Sequence, residues 1–455
     1  MKSSEGKHEN GMSRRKFLRN TGATAAGAAA GNVMYRKAAA TEALRQETLA
    51  LDGGTPAVSF PGERLSAATK WPRYTEADKE AVWEVLERPQ GAVYRDLPIL
   101  EQEWRDYHDV PYTKAHLNGT SSLTSLFFAL DLPPGSEIMV PSYTFFATIL
   151  PMRFFDYVPI FIDIDPRTAC FDLEDAAKKL TPRTKAMIPM HSWGLPCDMD
   201  HICAFGEEHG LIVCEDAAHA HGASLQGKKM GAWGDMAIFS FQASKPLPAI
   251  EAGMGNYQTR EYFERAAAFG HYEDPPKFSE DSPYRRYHGT GFGQKYRIHP
   301  IAATLVRKQL EVLDERNAGV QARVRELNDR ITQLPGLSEP YCRDDMERSY
   351  YSINMLFLDE QEAGFTRAQV TRALQAEGVR ARPGSYPEQH KFNIYREEQW
   401  WHHKPDVPDV LPGTAQVNSS CIFLPLLYED LPELTEQYIH AFEKVWAHRQ
   451  EIARV

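Results

Sequence analysis

Between about residues 114 and 241 the chain alternates short apolar runs with helix-like stretches, and this alternation restricts the fold more than any other feature. Residues 137–140, 159–164 (PIFIDI), 185–190 (KAMIPM), 211–214 and 236–241 read as short buried strands. Residues 121–130, 172–180 and 198–209 read as helices between them. Short apolar strands alternating with helices argue for an α/β layer with a mainly parallel central sheet. Upstream, Thr75 is a plausible N-cap for a helix over 76–87. Downstream, Leu305, Leu310 and Leu313 recur at helical spacing, so 301–333 reads as a long helical connection. Beyond it, strands at 350–358 and 421–424 and amphipathic helices at 366–377 and 434–447 make a second, smaller α+β domain.

The 455 residues are 42% hydrophobic, which at about 100–200 residues per domain allows two or three domains. The expected organisation is an export segment over 1–40, an irregular arm over 41–72, a large domain over 73–325 and a small C-terminal domain over 326–455. A charged fraction of 25% and a net charge of -11 fit a soluble globular chain. They give no footing for nucleic acid or an anionic membrane surface. The six cysteines contain no CxxC pair and read as buried thiols rather than a metal or disulfide set, so no metal ligand is assigned.

Four local features fall at or just beyond strand ends, where ligands bind in open α/β sheets. Asn118-Gly119-Thr120-Ser121 opens a helix, whose free N–H groups and dipole favour an anion, although an ordinary helix cap reads the same way. The run 141–148 (PSYTFFAT) places aromatics after a strand, either as core or as a surface for a planar ring. Glu215-Asp216-Ala217-Ala218-His219 puts acids next to an apolar strand, which is costly without a cationic partner or a helix to cap. Ser240-Phe241-Gln242-Ala243-Ser244-Lys245 ends on a lysine that is either solvated or, against an apolar wall, able to lose its proton and form an imine. Together these supply an anion cradle, a flat face, a carboxylate and an amine. Pyridoxal 5′-phosphate (PLP) has a phosphate, a ring, a ring nitrogen and an aldehyde to match them.

With these residues the chain resembles the DegT/StrS family of PLP-dependent sugar aminotransferases, of PLP fold type I. The resemblance runs from about Leu51 to the C-terminal helix. Its clearest stretches are NGTSSL (118–123), VPSYTFFAT (140–148), FIDIDP (161–166), the 191–200 segment, EDAAHAHGA (215–223), GDMAIFSFQASKPL (234–247) and YRIHPIAA (296–303). It implies that Lys245 forms the imine with PLP and then shuttles the proton between substrate carbon and cofactor. It implies that Asp216 pairs with the pyridine nitrogen, and that Ser240, Gly119, Thr120 and Ser121 hold the phosphate. Phe145 matches the stacking aromatic, and His219 a position, often Gln, that contacts the cofactor. The family resemblance also implies a homodimer with shared active sites, in which Lys295 stands where an Asn usually reaches the neighbouring subunit's phosphate. Another departure is Ile250-Glu251-Ala252-Gly253-Met254, where many members read Gly-Glu-Gly-Gly-Met; the loop here is stiffer. Arg297, Tyr386 and His390 are the polar candidates for the substrate side.

The implied activity is transfer of an amino group from glutamate or glutamine to a keto-sugar, nucleotide-sugar or cyclitol. Two rivals share the fold: a PLP-dependent dehydratase or eliminase, and a PLP-binding sensor without catalysis. One family branch replaces the lysine by His for dehydration, so the presence of Lys245 favours transamination. Fold alone does not separate the three.

The N-terminus bears on location. Ser13-Arg14-Arg15-Lys16-Phe17-Leu18 precedes an Ala/Gly-rich stretch over 21–34 and then Ala38-Ala39-Ala40. A basic region, a weakly apolar region and small residues form an export signal, and the paired arginines resemble a twin-arginine one. The stretch is too short and too rich in Ala and Gly for a membrane span, so any membrane contact would be through the signal. The expectation is a periplasmic or extracytoplasmic protein that begins near Thr41.

Overall fold

The computed structural model describes residues 42–454, and the export segment expected over 1–40 lies outside the described residues. The larger sheet has seven strands: β1 (Tyr112–His116), β2 (Glu137–Pro141), β3 (Val158–Ile162), β4 (Thr184–Met187), β5 (Ile212–Asp216), β6 (Met236–Ser240) and β7 (Gly253–Tyr257). Their order is β1-β7-β6-β5-β4-β2-β3. The five contiguous strands β3, β2, β4, β5 and β6 run parallel. Strand β7 runs antiparallel to both β1 and β6.

Five of these strands are the apolar runs legible in the sequence; β1 and β7 are additions. Strand β7 reads Gly-Met-Gly-Asn-Tyr and has no apolar run, yet every residue in it is buried. Its first glycine explains the exception. A Cβ at Gly253 would lie 2.4 Å from the carbonyl oxygen of Asn118, so only a glycine strand lets the 118–119 turn press onto the sheet.

Helices α1 (Glu76–Glu87), α2 (Asp96–His108), α3 (Gly119–Leu130), α4 (Met199–His209), α5 (Pro300–Glu311) and α6 (Leu313–Ile331) flank the sheet and lead out of it. Helix α1 starts with a complete capping box: Thr75 and Asp78 each satisfy the other's backbone N–H. The long helical connection is two helices that break at Val312. Leu313 at the start of α6 joins the core of the larger domain, whereas Leu327 and Ile331 near its end join that of the smaller one. The boundary expected at 325/326 therefore falls inside a continuous helix.

The smaller domain carries a second sheet of β8 (Leu337–Ser338), β9 (Ile353–Leu358), β10 (Arg382–Pro383) and β11 (Cys421–Pro425), in the order β8-β9-β11-β10. Helices α7 (Arg367–Ala376) and α8 (Pro432–Ala447) cover it. The arm expected to be irregular contains a short helix, Gly62–Ala68, and packs into this domain: Leu49, Phe60 and Leu65 share a core with Val370, Phe442 and Trp446. Glu377 fastens it. Its carboxylate accepts N–H groups from Ala50 (2.8 Å) and Ala57 (2.9 Å) and pairs with Lys444 at 3.0 Å, both side chains buried. Lys444 also donates to the carbonyl of Thr55 at 3.1 Å.

Removing one partner of a buried ion pair strands the other charge. Glu377→Ala is therefore expected to cost about 3–5 kcal/mol in denaturant unfolding and to make the 50–57 segment sensitive to protease. An unchanged unfolding midpoint would show that the arm is held by its apolar contacts alone.

Candidate active site

The carboxyl ends of β2, β5 and β6 open onto a cavity of about 420 Å³. Gly119, Thr120, Phe145, Asp216, His219, Ser240, Lys245 and Tyr386, widely separated in the sequence, all line it.

Successive side chains on a strand point to opposite faces, and the end of β5 uses both. Glu215 is fully buried and faces the 231–234 loop, accepting N–H groups from Gly231 (2.7 Å), Trp233 (2.7 Å) and Gly234 (2.9 Å). His191 Nδ1 accepts the Cys197 N–H at 3.1 Å, which leaves the proton on Nε2 for Glu215, also at 3.1 Å. Asp216 faces the cavity. One oxygen accepts the Thr148 hydroxyl at 2.7 Å and the other the Ala218 N–H at 3.1 Å. The carboxylate is thus buried and oriented, and no cation among the described residues is in hydrogen-bond contact with it.

The N-terminus of α3 meets the end of β6 through Gly119. A Cβ there would sit 2.8 Å from the Ser240 Cβ, closer than side chains tolerate, so glycine is required for the helix end and the serine to form one cradle.

Lys245 stands on the loop after β6, half-buried, with its Nζ 4.3 Å from the centre of the Tyr351 ring. Burial pushes its amine down from the usual lysine range to about 8, against the opposing pull of Asp216 and Glu251. His219 is buried and stacked against Tyr351, ring centres 4.1 Å apart. Its Nδ1 has no partner among the described residues, and burial, with Lys245 next in weight, holds the imidazole well below its usual range. It is therefore a neutral ring. Phe145 is 50% exposed at the cavity wall, with its ring 4.2 Å from that of Phe146.

The DegT/DnrJ/EryC1/StrS aminotransferase family matches residues 72–442. The chain belongs to this family. It is 31% identical over 368 residues to a putative L-glutamine:3-amino-2,3-dideoxy-scyllo-inosose aminotransferase of Streptoalloteichus tenebrarius, a match covering 77% of this chain and 84% of the relative. It is 31% identical over 326 residues to the GDP-perosamine synthase of Caulobacter vibrioides, covering 71% and 85%. The X-ray structure of an aminotransferase from Psychrobacter cryohalolentis superposes with a TM-score of 0.75 at 26% identity, covering 84% of this chain and 99% of that one.

Members of the DegT/DnrJ/EryC1/StrS family depend on PLP, and the cavity fits that molecule on its own geometry. It holds a glycine-dependent anion cradle, an anchored carboxylate, a buried imidazole nitrogen without a partner among the described residues and an amine of lowered basicity.

Four of the candidate residues stand outside the cavity. Ser121 caps α3 instead of cradling an anion: its hydroxyl donates to the Asn118 carbonyl (2.8 Å) and accepts the Asn118 N–H (3.0 Å), and its own N–H goes to Asn118 Oδ1 (2.8 Å). Lys295 is exposed and does not line this cavity. Arg297 is committed elsewhere, to Glu273 (2.7 Å) and the Tyr94 hydroxyl (3.1 Å), beside a different cavity of about 400 Å³. His390 is buried against Ser142, with its Nδ1 at 2.6 Å from the hydroxyl, and ties the 389–391 turn to the end of β2.

Other wall residues carried no sequence-based assignment. Thr148 lies inside the quoted VPSYTFFAT run, three residues after Phe145, and that spacing was its only signal. Gln242 and Glu251 flank the lysine. Tyr351 comes from the smaller domain, more than a hundred residues from Lys245, and no local motif announces it.

Proposed function

We propose that the protein carries an amino group from glutamate or glutamine to the ketone of a sugar, nucleotide-sugar or cyclitol, with Lys245 holding the cofactor. The observation that carries this reading is the amine of lowered basicity in one cavity with the anchored carboxylate of Asp216. One relative is named for a glutamine:inosose transfer and another for a perosamine synthesis, which supports a polyhydroxylated ring as acceptor.

When bound, PLP supplies an aldehyde and an electron-withdrawing ring through which an amino group leaves one carbon and is accepted by another. The protein supplies placement and proton control. Asp216, kept in position by Thr148, would hold a proton on the ring nitrogen by charge pairing. The N–H groups of Gly119 and Thr120 and the Ser240 hydroxyl would hold the phosphate. Phe145 and His219 offer flat faces to the ring. An amine titrating near about 8 carries a proton at neutral pH and gives it up readily, which suits Lys245 to move a proton at the substrate carbon. Tyr351, Tyr386 and Phe146 wall the cavity with aromatic surface.

Purified protein is expected to be yellow and to change its absorbance on addition of L-glutamate or L-glutamine. Lys245→Ala should lower turnover by about 10²- to 10⁴-fold, the range for loss of a general acid–base group. Lysine-type absorbance persisting unchanged in that variant would refute the role of Lys245.

Apolar side chains at or beside the cavity wall, Phe145, Phe146 and Ile250, are exposed on the isolated chain. Together with the family resemblance at Lys295 they support an isologous dimer with shared sites. Light scattering is expected to give twice the chain mass, and a monomer at micromolar concentration would overturn this. The paired Arg14-Arg15 signal supports export by the twin-arginine route, which carries folded proteins with their cofactors. In the native host the mature N-terminus is expected near Thr41 outside the cytoplasm, and an intact N-terminus confined to the cytosol would overturn it.

A further inference from the structure

We propose that Tyr351 is a positioning residue for Lys245, and that its ring face receives the lysine amine whenever the amine is not bonded to the cofactor aldehyde. The inference rests on the assignment of Lys245 as the cofactor-holding residue.

Geometry on both sides of the contact supports it. The amine lies 4.3 Å from the ring centre, within the range where a cation is attracted to an aromatic face. The ring itself is fixed. It stacks against His219 at 4.1 Å and against Trp193 at 5.7 Å with an interplanar angle of 16°. The Ser244 hydroxyl and N–H both donate to Gln242 Oε1, at 2.6 and 2.8 Å. With its hydrogen so committed, Ser244 accepts from the Tyr351 hydroxyl at 3.0 Å. The backbone adds a constraint: the Ile353 N–H bonds back to the Tyr351 carbonyl at 2.7 Å, closing a tight turn in which Ser352 has φ 63°. A non-glycine residue in that region is strained, and such strain persists only where surrounding contacts impose it.

The surroundings of Lys245 explain why such a seat is useful. The charged and titratable groups around the amine are Asp216, Glu251, His219, His221, Tyr351 and Tyr386. Asp216 is held by Thr148 and would serve the ring nitrogen, Glu251 stands at the exposed rim, and both imidazoles are neutral. A freed amine that took Asp216 as partner would compete with the cofactor for it. The Tyr351 face steadies the ammonium without offering a carboxylate, so the contact is weak enough to be left again. Because Tyr351 precedes β9, the seat also ties the reactive lysine to the smaller domain.

The test uses the cofactor-free full chain. Lys245 is acylated at a series of pH values and the modified peptide is quantified by mass spectrometry. Wild type is expected to titrate near about 8, protonated and unreactive below that value and reactive above it. Tyr351→Leu keeps the site apolar but removes the attraction that favours the ammonium. Its midpoint should fall by about 0.4 to 1.5 pH units, the equivalent of a cation–π contact. Tyr351→Phe keeps the ring and should stay within about 0.3 unit of wild type. Tyr351→Met serves as a second ringless variant should the leucine protein not fold. Unmoved midpoints in the ringless variants would overturn the proposal, as would equal shifts in the phenylalanine and leucine proteins, which would assign the effect to the hydroxyl. Borohydride fixation of PLP on wild-type protein keeps the two readings apart: label at a residue other than Lys245 sinks the lysine assignment, whereas label at Lys245 with unmoved midpoints sinks only the role of Tyr351.

Discussion

The site depends on two adjacent carboxylates at the end of β5. A buried carboxylate is tolerated only when its oxygens are satisfied, and Glu215 is satisfied four times, by three backbone N–H groups and His191. That network fixes the last turn of the strand and the 231–234 loop that leads into β6. Asp216, one residue on and on the other face, inherits a fixed backbone, and Thr148 then sets the direction of its side chain. Strand alternation thus turns an acidic dipeptide into one structural anchor and one carboxylate that lines the cavity.

The amine of Lys245 is the counterpart of that arrangement. In water a lysine near neutral pH is almost wholly charged and a poor nucleophile. Burial disfavours the charge, while Asp216 and Glu251 restore part of it, and the balance lies near about 8. A deeper pocket without acids would leave the amine neutral and unable to return a proton. An exposed position would leave it permanently protonated. The neutral state of His219 matters for the same reason, since a second cation against the lysine would drive the amine lower still.

Most of the fold was legible because its signals are local. Thr75 announces the helix start next to it, and the apolar runs of β2 to β6 announce buried strands. Strand β7 was not legible, because its burial follows from close approach to the 118–119 turn rather than from apolar side chains. The site divides along the same line. Gly119, Asp216 and Ser240 sit at strand or helix ends and Lys245 on the loop just beyond one, and these local features together with the family resemblance pointed to them. Ser121 belongs to the same motif, yet one residue of helical rotation and an Asn cap turn it inward. Arg297 and His390 were chosen for their chemistry, and tertiary partners, Glu273 and Ser142, had already claimed them. Tyr351 shows the converse: an ordinary tyrosine in sequence, placed at the site only by the packing of the smaller domain.

The loop between Lys245 and β7 shows how a departure from the family pattern is accommodated. Ile250 has φ 67° and a side chain 59% exposed, in a region of backbone space that disfavours β-branched residues. The Glu251 N–H bonds to the Ala249 carbonyl at 2.8 Å across it, so Ile250 is the centre of a tight three-residue turn. A glycine would adopt this conformation without steric penalty, whereas the isoleucine carries a cost of about 1–3 kcal/mol. Paired backbone bonds hold it there: Phe241 to Ala252 at 2.8 Å, Ala249 to Phe241 at 2.7 Å and Ala243 to Ile250 at 3.0 Å. These clasp both sides of the loop that bears Lys245, and they place Glu251 at the cavity rim. A flexible glycine turn would let that loop sample several shapes. The paired backbone bonds hold the strained isoleucine in place and leave its apolar side chain beside the cavity mouth, so the loop bearing the lysine is positioned by its own bonding as well as by the domain that packs on it.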